Sequence, residues 1–305
     1  MQSRREFLGT AAGMAAGAAV ATGQGNDRDK VSLAAWSLSG SYFRGHKWKN
    51  IELPRITREE FGLAGLEFVN QFFENPTLGY LKKLKREGAN NGVTFVRIMV
   101  DDEGAMAAVD RQERMEAAIA HRKWVDIAHY LGCQDIRCNC YGSPQDWKKD
   151  TDYAKRAAES FHDLLEYSRG SGLDIIIENH GGPSSDPDML VSVMKAVNDP
   201  RFGTLPDFGN INKGDDRYEV IRKIVPYAKG VSVKAGWHED DTHPDWDIAK
   251  LIRICLDAGF HGWWGIESGY GPWNKNLPPE QLWANEVKGV KLTKAIVDKA
   301  VFGKA

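Results

Sequence analysis

Short apolar runs alternate with longer amphipathic stretches along this chain, and that alternation limits its possible folds more than any other feature. Eight runs predict strands, at residues 31–36, 65–69, 94–100, 135–140, 173–178, 203–207, 230–234 and 264–267. Helical patterns between them are clearest at residues 110–131, 152–171, 187–197, 218–227, 245–258 and 279–301. Eight strands alternating with helices predict an α/β fold, a single (β/α)8 TIM barrel. An open doubly wound sheet is the competing fold, but no G-x-G-x-x-G or G-x-x-x-x-G-K motif follows a strand.

Length and charge are consistent with one globular domain over residues 31–305. The chain has 305 residues, of which 42% are hydrophobic, and its formal net charge is -2. A single α/β barrel commonly uses about 250 residues. Because the charge is near neutral and both signs are interspersed, we expect no nucleic-acid partner.

The first thirty residues have the features of an export signal. Ser3-Arg4-Arg5-Glu6-Phe7-Leu8-Gly9 resembles a twin-arginine signal, and a run rich in Ala and Gly follows at residues 10–18, before a small-residue cleavage pattern at residues 19–21. We therefore expect residues 1–30 to be a twin-arginine signal peptide with a short linker, the export machinery to be a partner, and the mature protein to be periplasmic or otherwise exported. The alternative is a buried N-terminal helix, which so much Gly disfavours. No later run reaches the ~20 apolar residues needed to span a bilayer.

Carboxylates stand at the ends of three predicted strands. Glu178, Asp207 and Glu267 each precede a loop-forming stretch, and Lys234 ends the strand between the last two. Their spacing corresponds to about one βα unit each, so the C-terminal ends of strands five to eight should present them at one mouth of the barrel. Three converging carboxylates repel one another, and a divalent cation with oxygen ligands is the usual means of keeping them ionised. Arg137, on strand four, could neutralise the carboxylates or hold a sugar hydroxyl.

Two motifs carry a resemblance to a known family. Glu178-Asn179-His180-Gly181-Gly182 and Leu205-Pro206-Asp207-Phe208-Gly209-Asn210, with the strand-end order Glu, Asp, Glu, are similar to the sugar phosphate isomerase/epimerase superfamily. These xylose-isomerase-like barrels include D-tagatose 3-epimerase, inosose dehydratase and, more distantly, endonuclease IV. The resemblance covers the chain after the leader, most clearly residues 173–268.

The resemblance implies a metal-dependent proton transfer. Glu178 would be the first ligand and one acid/base, Asp207 the second ligand, and Glu267 the last ligand and the opposing acid/base. The cation would be Mn²⁺ first of all, with Co²⁺, Zn²⁺ or Mg²⁺ as alternatives. Such a cation stabilises an enediolate while a carboxylate removes the proton next to a carbonyl.

Strand seven departs from that family. Relatives usually have His there, whereas this chain has Lys234, and a protonated Lys cannot bind a metal. His180 or His238 could complete the ligand shell, the metal could bind more weakly, or Lys234 could have a depressed pKa. Because a Lys among carboxylates normally has a raised pKa, we favour charge compensation or substrate contact for Lys234. Asn210 stands where some relatives have His and is a further candidate for substrate binding.

Other residues are weaker candidates for substrate contact. Glu67 is placed by its pattern at the end of strand two, where it could contact the substrate. Trp36 and Trp273 could form apolar walls against a sugar ring, although core packing is the simpler role for most of the tryptophans. His180 could instead cap a loop, and His238 could belong to a solvated acidic loop.

Three functional hypotheses remain open from the sequence. The first is a divalent-metal-dependent isomerase or epimerase acting on an unphosphorylated carbohydrate, because phosphorylated metabolites are scarce outside the cytoplasm. A 3-keto-glycoside lyase would use the same proton abstraction. A non-catalytic carbohydrate-binding barrel is favoured by the missing strand-seven His but not by two opposed glutamates. The sequence allows an oligomer without indicating one.

Overall fold

A computed structural model describes residues 30–243, 246–271 and 277–304 of the chain. The predicted signal peptide and Trp273 therefore lie outside the described residues. Within the described ranges, no helix combines the length and the apolar character needed to cross a membrane.

Eight parallel strands form the predicted barrel. They are β1 Val31–Ala34, β2 Gly65–Val69, β3 Thr94–Val100, β4 Asp135–Cys138, β5 Asp174–Glu178, β6 Phe202–Leu205, β7 Gly230–Trp237 and β8 Trp263–Tyr270. Hydrogen-bonded neighbours follow the order β6-β5-β4-β3-β2-β1-β8-β7. The two outer strands of that order meet through isolated parallel bridges, Thr204 with Ala228 and Asp207 with Ser232, which close the sheet. The (β/α)8 prediction is confirmed.

Helices surround the sheet and connect its strands. They are α1 Ser39–Phe43, α2 Leu53–Glu59, α3 Leu78–Asn90, α4 Arg111–Leu131, α5 Tyr153–Tyr167, α6 Pro187–Val197, α7 Arg217–Ile224, α8 Ile248–Asp257 and α9 Pro279–Phe302. Local signals fix their ends, as α4 illustrates. The Asp110 carboxylate accepts a hydrogen bond of 2.9 Å from the Glu113 N–H at its start, and Gly132 ends it with φ of 85°.

β1 and β4 each end two residues before their predicted ends, at Ala34 and Cys138, and the last three strands also differ from their predicted bounds. β6 ends at Leu205 because Pro206 has no N–H with which to continue the ladder. β7 and β8 continue beyond the predicted ends because they pair with each other from Gly230–Trp263 to Trp237–Tyr270. This mutual pairing is a tertiary contact that the pattern of either strand alone does not contain.

The barrel interior contains a buried charged layer. Arg97 has no exposed side-chain surface, and its Nε lies 2.9 Å from Oδ1 of Asp135 while its Nη1 lies 3.4 Å from Oε1 of Glu67. The Ser32 hydroxyl donates to the same Glu67 oxygen over 2.7 Å. Gly265 leaves room for it, since a Cβ on that residue would lie 2.5 Å from Glu67 Oε1. The predicted substrate contact at Glu67 is therefore wrong, because this side chain is 1% exposed and paired inside the barrel.

Candidate active site

Three carboxylates meet at the C-terminal ends of the last strands. Glu178 is the final residue of β5, Asp207 follows β6 by two residues, and Glu267 lies in β8. One oxygen of each lies within 4.8 Å of an oxygen of the other two. The first two side chains are buried, and that of Glu267 is 13% exposed. A cation with metal–oxygen distances of about 2.0–2.6 Å can contact oxygens separated in this way.

The Asp207 carboxylate is held from two sides. Its Oδ1 accepts hydrogen bonds of 2.7 Å from the backbone N–H groups of Gly209 and Asn210, and its Oδ2 accepts one of 2.8 Å from the Ser232 hydroxyl. The buried Asn179 amide fixes the backbone, because it accepts from the Asp207 N–H over 2.7 Å and donates to the Asp207 carbonyl over 3.0 Å. These contacts give the carboxylate one orientation.

Glu178 has one satisfied and one unsatisfied oxygen. The Asn210 amide donates to its Oε1 over 2.8 Å. Arg137 Nε lies 2.9 Å from Oε2, but its N–H is not aligned for a hydrogen bond, and no other described residue donates to that oxygen. Burial raises the pKa of Glu178 well above its usual value, and Asp207 adds to this effect against the opposing charge of Arg137. A buried oxygen without a donor is costly, so this oxygen is suited to bind a further positive group.

Lys234 supplies a positive charge inside the cluster. Its Nζ lies 2.6 Å from Oε1 of Glu267 and 3.7 Å from Oδ2 of Asp207. Burial alone would lower the pKa of Lys234, but the nearby carboxylates outweigh burial and raise it. The alternative of a depressed Lys234 pKa is therefore wrong, and charge compensation agrees with the geometry. Burial raises the pKa of Glu267, although Lys234 partly offsets the rise.

The two candidate histidines lie apart from the carboxylate cluster. His180 lines the adjoining cavity, where its Nδ1 is 2.5 Å from the Tyr141 hydroxyl. Burial, with Arg137 and Lys234, lowers the pKa of His180 to about 4. Within the described ranges, the group of possible ligand atoms contains the three carboxylates and neither histidine. His238 is exposed on the loop after β7, where its backbone N–H donates to the Thr242 carbonyl over 2.8 Å.

A cavity of about 410 Å³ opens beside the cluster. It is lined by Trp36, Gln71, Asp101, Asp102, Arg137, Asn139, Tyr141, Glu178, His180 and Glu267. Two of the residues predicted to bind substrate, Trp36 and Arg137, thus line it. Lys234 and Asn210 instead contact its carboxylates.

Asp101 is a site residue that the sequence reasoning missed. Its carboxylate accepts hydrogen bonds from Arg137 Nη1 and Asn139 Nδ2, both over 2.6 Å, and from Trp36 Nε1 over 3.1 Å. The Arg137 guanidinium and the Asn139 amide outweigh burial and hold the pKa of Asp101 below its usual value. Asp101 could have been identified by the same signal as the other acids, which is a carboxylate at the C-terminal end of a strand, because it directly follows β3.

Negative charge exceeds positive charge around this cavity. The cluster and its surroundings hold four largely buried carboxylates and two basic side chains, an excess of two negative charges when all are ionised. These groups are Asp101, Glu178, Asp207 and Glu267, with Arg137 and Lys234. A divalent cation would balance this excess, so the residues present fit such an ion.

Three solved structures with this architecture share little sequence with the chain. A D-tagatose 3-epimerase-like protein is 14% identical with a TM-score of 0.68, over 89% of this chain and 98% of its own. The 3-keto-D-glucoside 4-epimerase of E. coli is 13% identical with a TM-score of 0.64, over 86% and 98%. A xylose isomerase-like TIM barrel protein from Mycobacterium smegmatis, in complex with magnesium, is 14% identical with a TM-score of 0.60, over 88% and 97%. At these identities the likeness establishes the fold alone.

Sequence comparison gives a more specific assignment. No curated protein matches the chain. Residues 58–292, however, match the profile described as "Xylose isomerase-like TIM barrel". This match covers more than half of the sequence and includes all three strand-end carboxylates. The chain is therefore a member of the xylose isomerase-like TIM barrel family.

Proposed function

We propose that this protein is a divalent-metal-dependent sugar isomerase or epimerase that moves a proton on a carbon next to a carbonyl. The observation that carries the proposal is the convergence of Glu178, Asp207 and Glu267 within 4.8 Å beside an open cavity. The structural likeness to proteins named as sugar epimerases supports a carbohydrate substrate.

The cation would be held by Glu178, Asp207 and Glu267. Bound there, a hard cation supplies Lewis-acid stabilisation of negative charge on the substrate oxygens. Mn²⁺ is our first choice, with Co²⁺, Zn²⁺ or Mg²⁺ as alternatives, and the magnesium in one structural neighbour supports the metal class. His180 stays a less favoured ligand because its ring does not belong to the group of residues whose ligand atoms lie within 4.8 Å of one another.

The two glutamates would carry the proton. Burial raises the pKa of both Glu178 and Glu267, which brings a carboxyl group closer to the neutral range where it can accept and return a proton efficiently. The Asn210 amide orients Glu178, and Lys234 favours the ionised form of Glu267. One carboxylate takes the proton from the carbon while the other, in its acid form, can return a proton to the same or the neighbouring carbon.

We further infer that the substrate is unphosphorylated and is met outside the cytoplasm. This rests on the twin-arginine pattern in residues 1–30, because phosphorylated sugars are scarce beyond the cytoplasmic membrane. The twin-arginine machinery would then export the folded chain.

Solvent-isotope exchange tests the reaction directly. Purified protein with added Mn²⁺ is incubated in deuterated water with a panel of aldoses, ketoses and oxidised glycosides, and deuterium at the carbon next to the carbonyl is measured. We expect exchange to fall at least about 100-fold in Glu178→Gln and in Glu267→Gln, because each loses its proton-carrying group. Glu219→Gln, on the surface of α7, should exchange normally. A near-normal rate in Glu267→Gln would refute its acid/base role.

Elimination from a 3-keto-glycoside is the second candidate. It begins with the same proton abstraction, and the likeness to a 3-keto-D-glucoside epimerase makes an oxidised glycoside a reasonable substrate. Product analysis separates the two reactions, because only elimination releases the aglycone.

A further inference from the structure

A second cavity adjoins the one that contains the carboxylates. Its volume is about 360 Å³, and it lies between the exit of β1, the end of β8 and the first turns of α9. Trp36 lines both cavities. Glu267 lines the first and the next residue, Ser268, lines the second. Each cavity is of the size of a small-molecule site, about 300–1,000 Å³.

Exposed aromatic surface is a feature of this second cavity. Phe43 is 47% exposed, and its ring centroid lies 6.4 Å from that of Trp36 at an interplanar angle of 40°. Because most large apolar side chains of the described barrel are buried, a solvent-exposed ring beside a catalytic mouth offers a face on which a flat apolar surface can stack.

Polar groups complement those rings. The half-buried Asn285 amide has no hydrogen-bond partner among residues 30–243, 246–271 and 277–304, and it lines this cavity. The Glu286 carboxylate accepts hydrogen bonds of 3.1 and 3.2 Å from the Ser41 N–H, which fixes its position at the wall. Aromatic faces with amide and carboxylate groups match a sugar ring, which has apolar C–H faces and a rim of hydroxyl groups.

A third cavity provides a contrast. It has a volume of about 480 Å³ and lies against α8 and α9, with lining residues such as Ile248 and Ile296. It shares no lining residue with the carboxylate cavity. The cavity at Phe43 therefore differs from this third cavity, which lies between surface helices, because it adjoins the cavity that contains the carboxylates.

We propose that the cavity formed by Phe43, Asn285 and Glu286 is a second sugar subsite, so that the substrate is a disaccharide or longer glycoside rather than a free monosaccharide. The reacting sugar lies over the carboxylates, and the attached sugar passes Trp36 into the second cavity. This inference rests on the proposed function and specifies the substrate class of the same site.

Paired binding measurements test the subsite. The probes are D-glucose with cellobiose, D-galactose with lactose, and D-xylose with xylobiose, each titrated calorimetrically into full-length protein with Mn²⁺. In the pair that binds best, we expect the disaccharide to bind about tenfold more tightly than its monosaccharide. Phe43→Leu, which keeps the apolar volume but loses the ring face, and Asn285→Ala should each reduce that preference about three- to tenfold. Tyr167→Ala removes an exposed ring on α5 and should leave the preference unchanged.

Two results would overturn the inference. One is that no disaccharide binds more tightly than its monosaccharide, and the other is that the preference survives in the double variant Phe43→Leu/Asn285→Ala. Thermal unfolding confirms that each variant is folded. Isotope exchange distinguishes the two proposals. If the protein exchanges deuterium into sugars but does not prefer disaccharides, only the subsite is refuted. If no sugar shows exchange, the proposed reaction is refuted.

Discussion

We infer that Lys234 occupies the strand-seven position at which relatives usually have a neutral His ligand. Its ammonium group lies 2.6 Å from Glu267. It cannot donate a lone pair to a metal, and it repels a cation placed among the same carboxylates. A divalent ion should therefore bind more weakly here than in a site with three carboxylates and a His.

Replacing this lysine tests that reasoning. Lys234→His removes the repelling charge and adds a neutral nitrogen ligand, so we expect Mn²⁺ affinity to rise by about tenfold or more, measured by calorimetry at pH 7.5. Lys229→His is the control, because Lys229 also pairs with a carboxylate, Asp174 at 3.2 Å, but away from the cluster. Unchanged affinity in Lys234→His would rule out that this position corresponds to the missing ligand.

Glu67 and Asp101 show what a sequence can and cannot predict about single residues. Both are acids associated with buried strands, but Glu67 is the third of five residues in β2, whereas Asp101 immediately follows β3. The acid after the strand reaches the cavity, and the acid within it pairs with Arg97 in the interior. Strand-end position could be inferred from the pattern, but the depth of a side chain inside the barrel depends on register between strands, which no single strand encodes.

At the scale of elements, the periodic segments were predictable and the paired extensions were not. The bounds of β2 and β3 agree with their predicted ranges, because each is a mostly apolar run, interrupted by one charged residue, next to clear turn signals. The short helices α1 and α2 were missed, because five to seven residues give too little periodicity to detect, although α1 lines a cavity together with Trp36.

Glycine placement on β7 and β8 gives an element-scale prediction. Gly265→Ala would place a methyl group 2.5 Å from Glu67 Oε1 in the closed interior, so we expect the free energy of unfolding to fall by about 1–3 kcal/mol. Gly236→Ala, on β7, is the matched control, because nothing lies within 4 Å of its added Cβ, and a change within about 0.5 kcal/mol is expected. Urea unfolding followed by circular dichroism measures both. Equal stability of the two variants would contradict this prediction, because it would show that Glu67 and its neighbours can move to accommodate the added methyl group.

For the whole molecule, the interior layer links stability to pH. Arg97 is shared by Asp135 and Glu67, so two acids face one base without solvent. Burial raises the pKa of Asp135 to about 6, and Glu67 adds to the rise against the opposing charge of Arg97. The unfolded value is about 3.9. Between these two values the folded chain binds more protons at Asp135 than the unfolded chain does.

The sign of the pH effect follows from that difference. The contribution of Asp135 to stability is present below about pH 4 and is lost as the pH rises through about 6, by up to about 3 kcal/mol. Asp135→Asn should remove this dependence, so the unfolding free energy of the variant should improve relative to wild type between pH 4 and pH 7. Asp188→Asn, on the surface, is the control. Parallel pH profiles for wild type and Asp135→Asn would contradict the shift.

The junction between β6 and β7 has a consequence for how ligands act on the whole chain. Regular ladders join the other neighbouring strands, but isolated bridges join these two, and one of them is formed by Asp207 itself. Glu178 stands on one side of the junction and Glu267 on the other. An ion or sugar bound by residues on both sides would hold the barrel closed at the junction with the fewest backbone hydrogen bonds. Binding of the ligand and closure of the barrel between β6 and β7 should therefore be coupled, so that each favours the other.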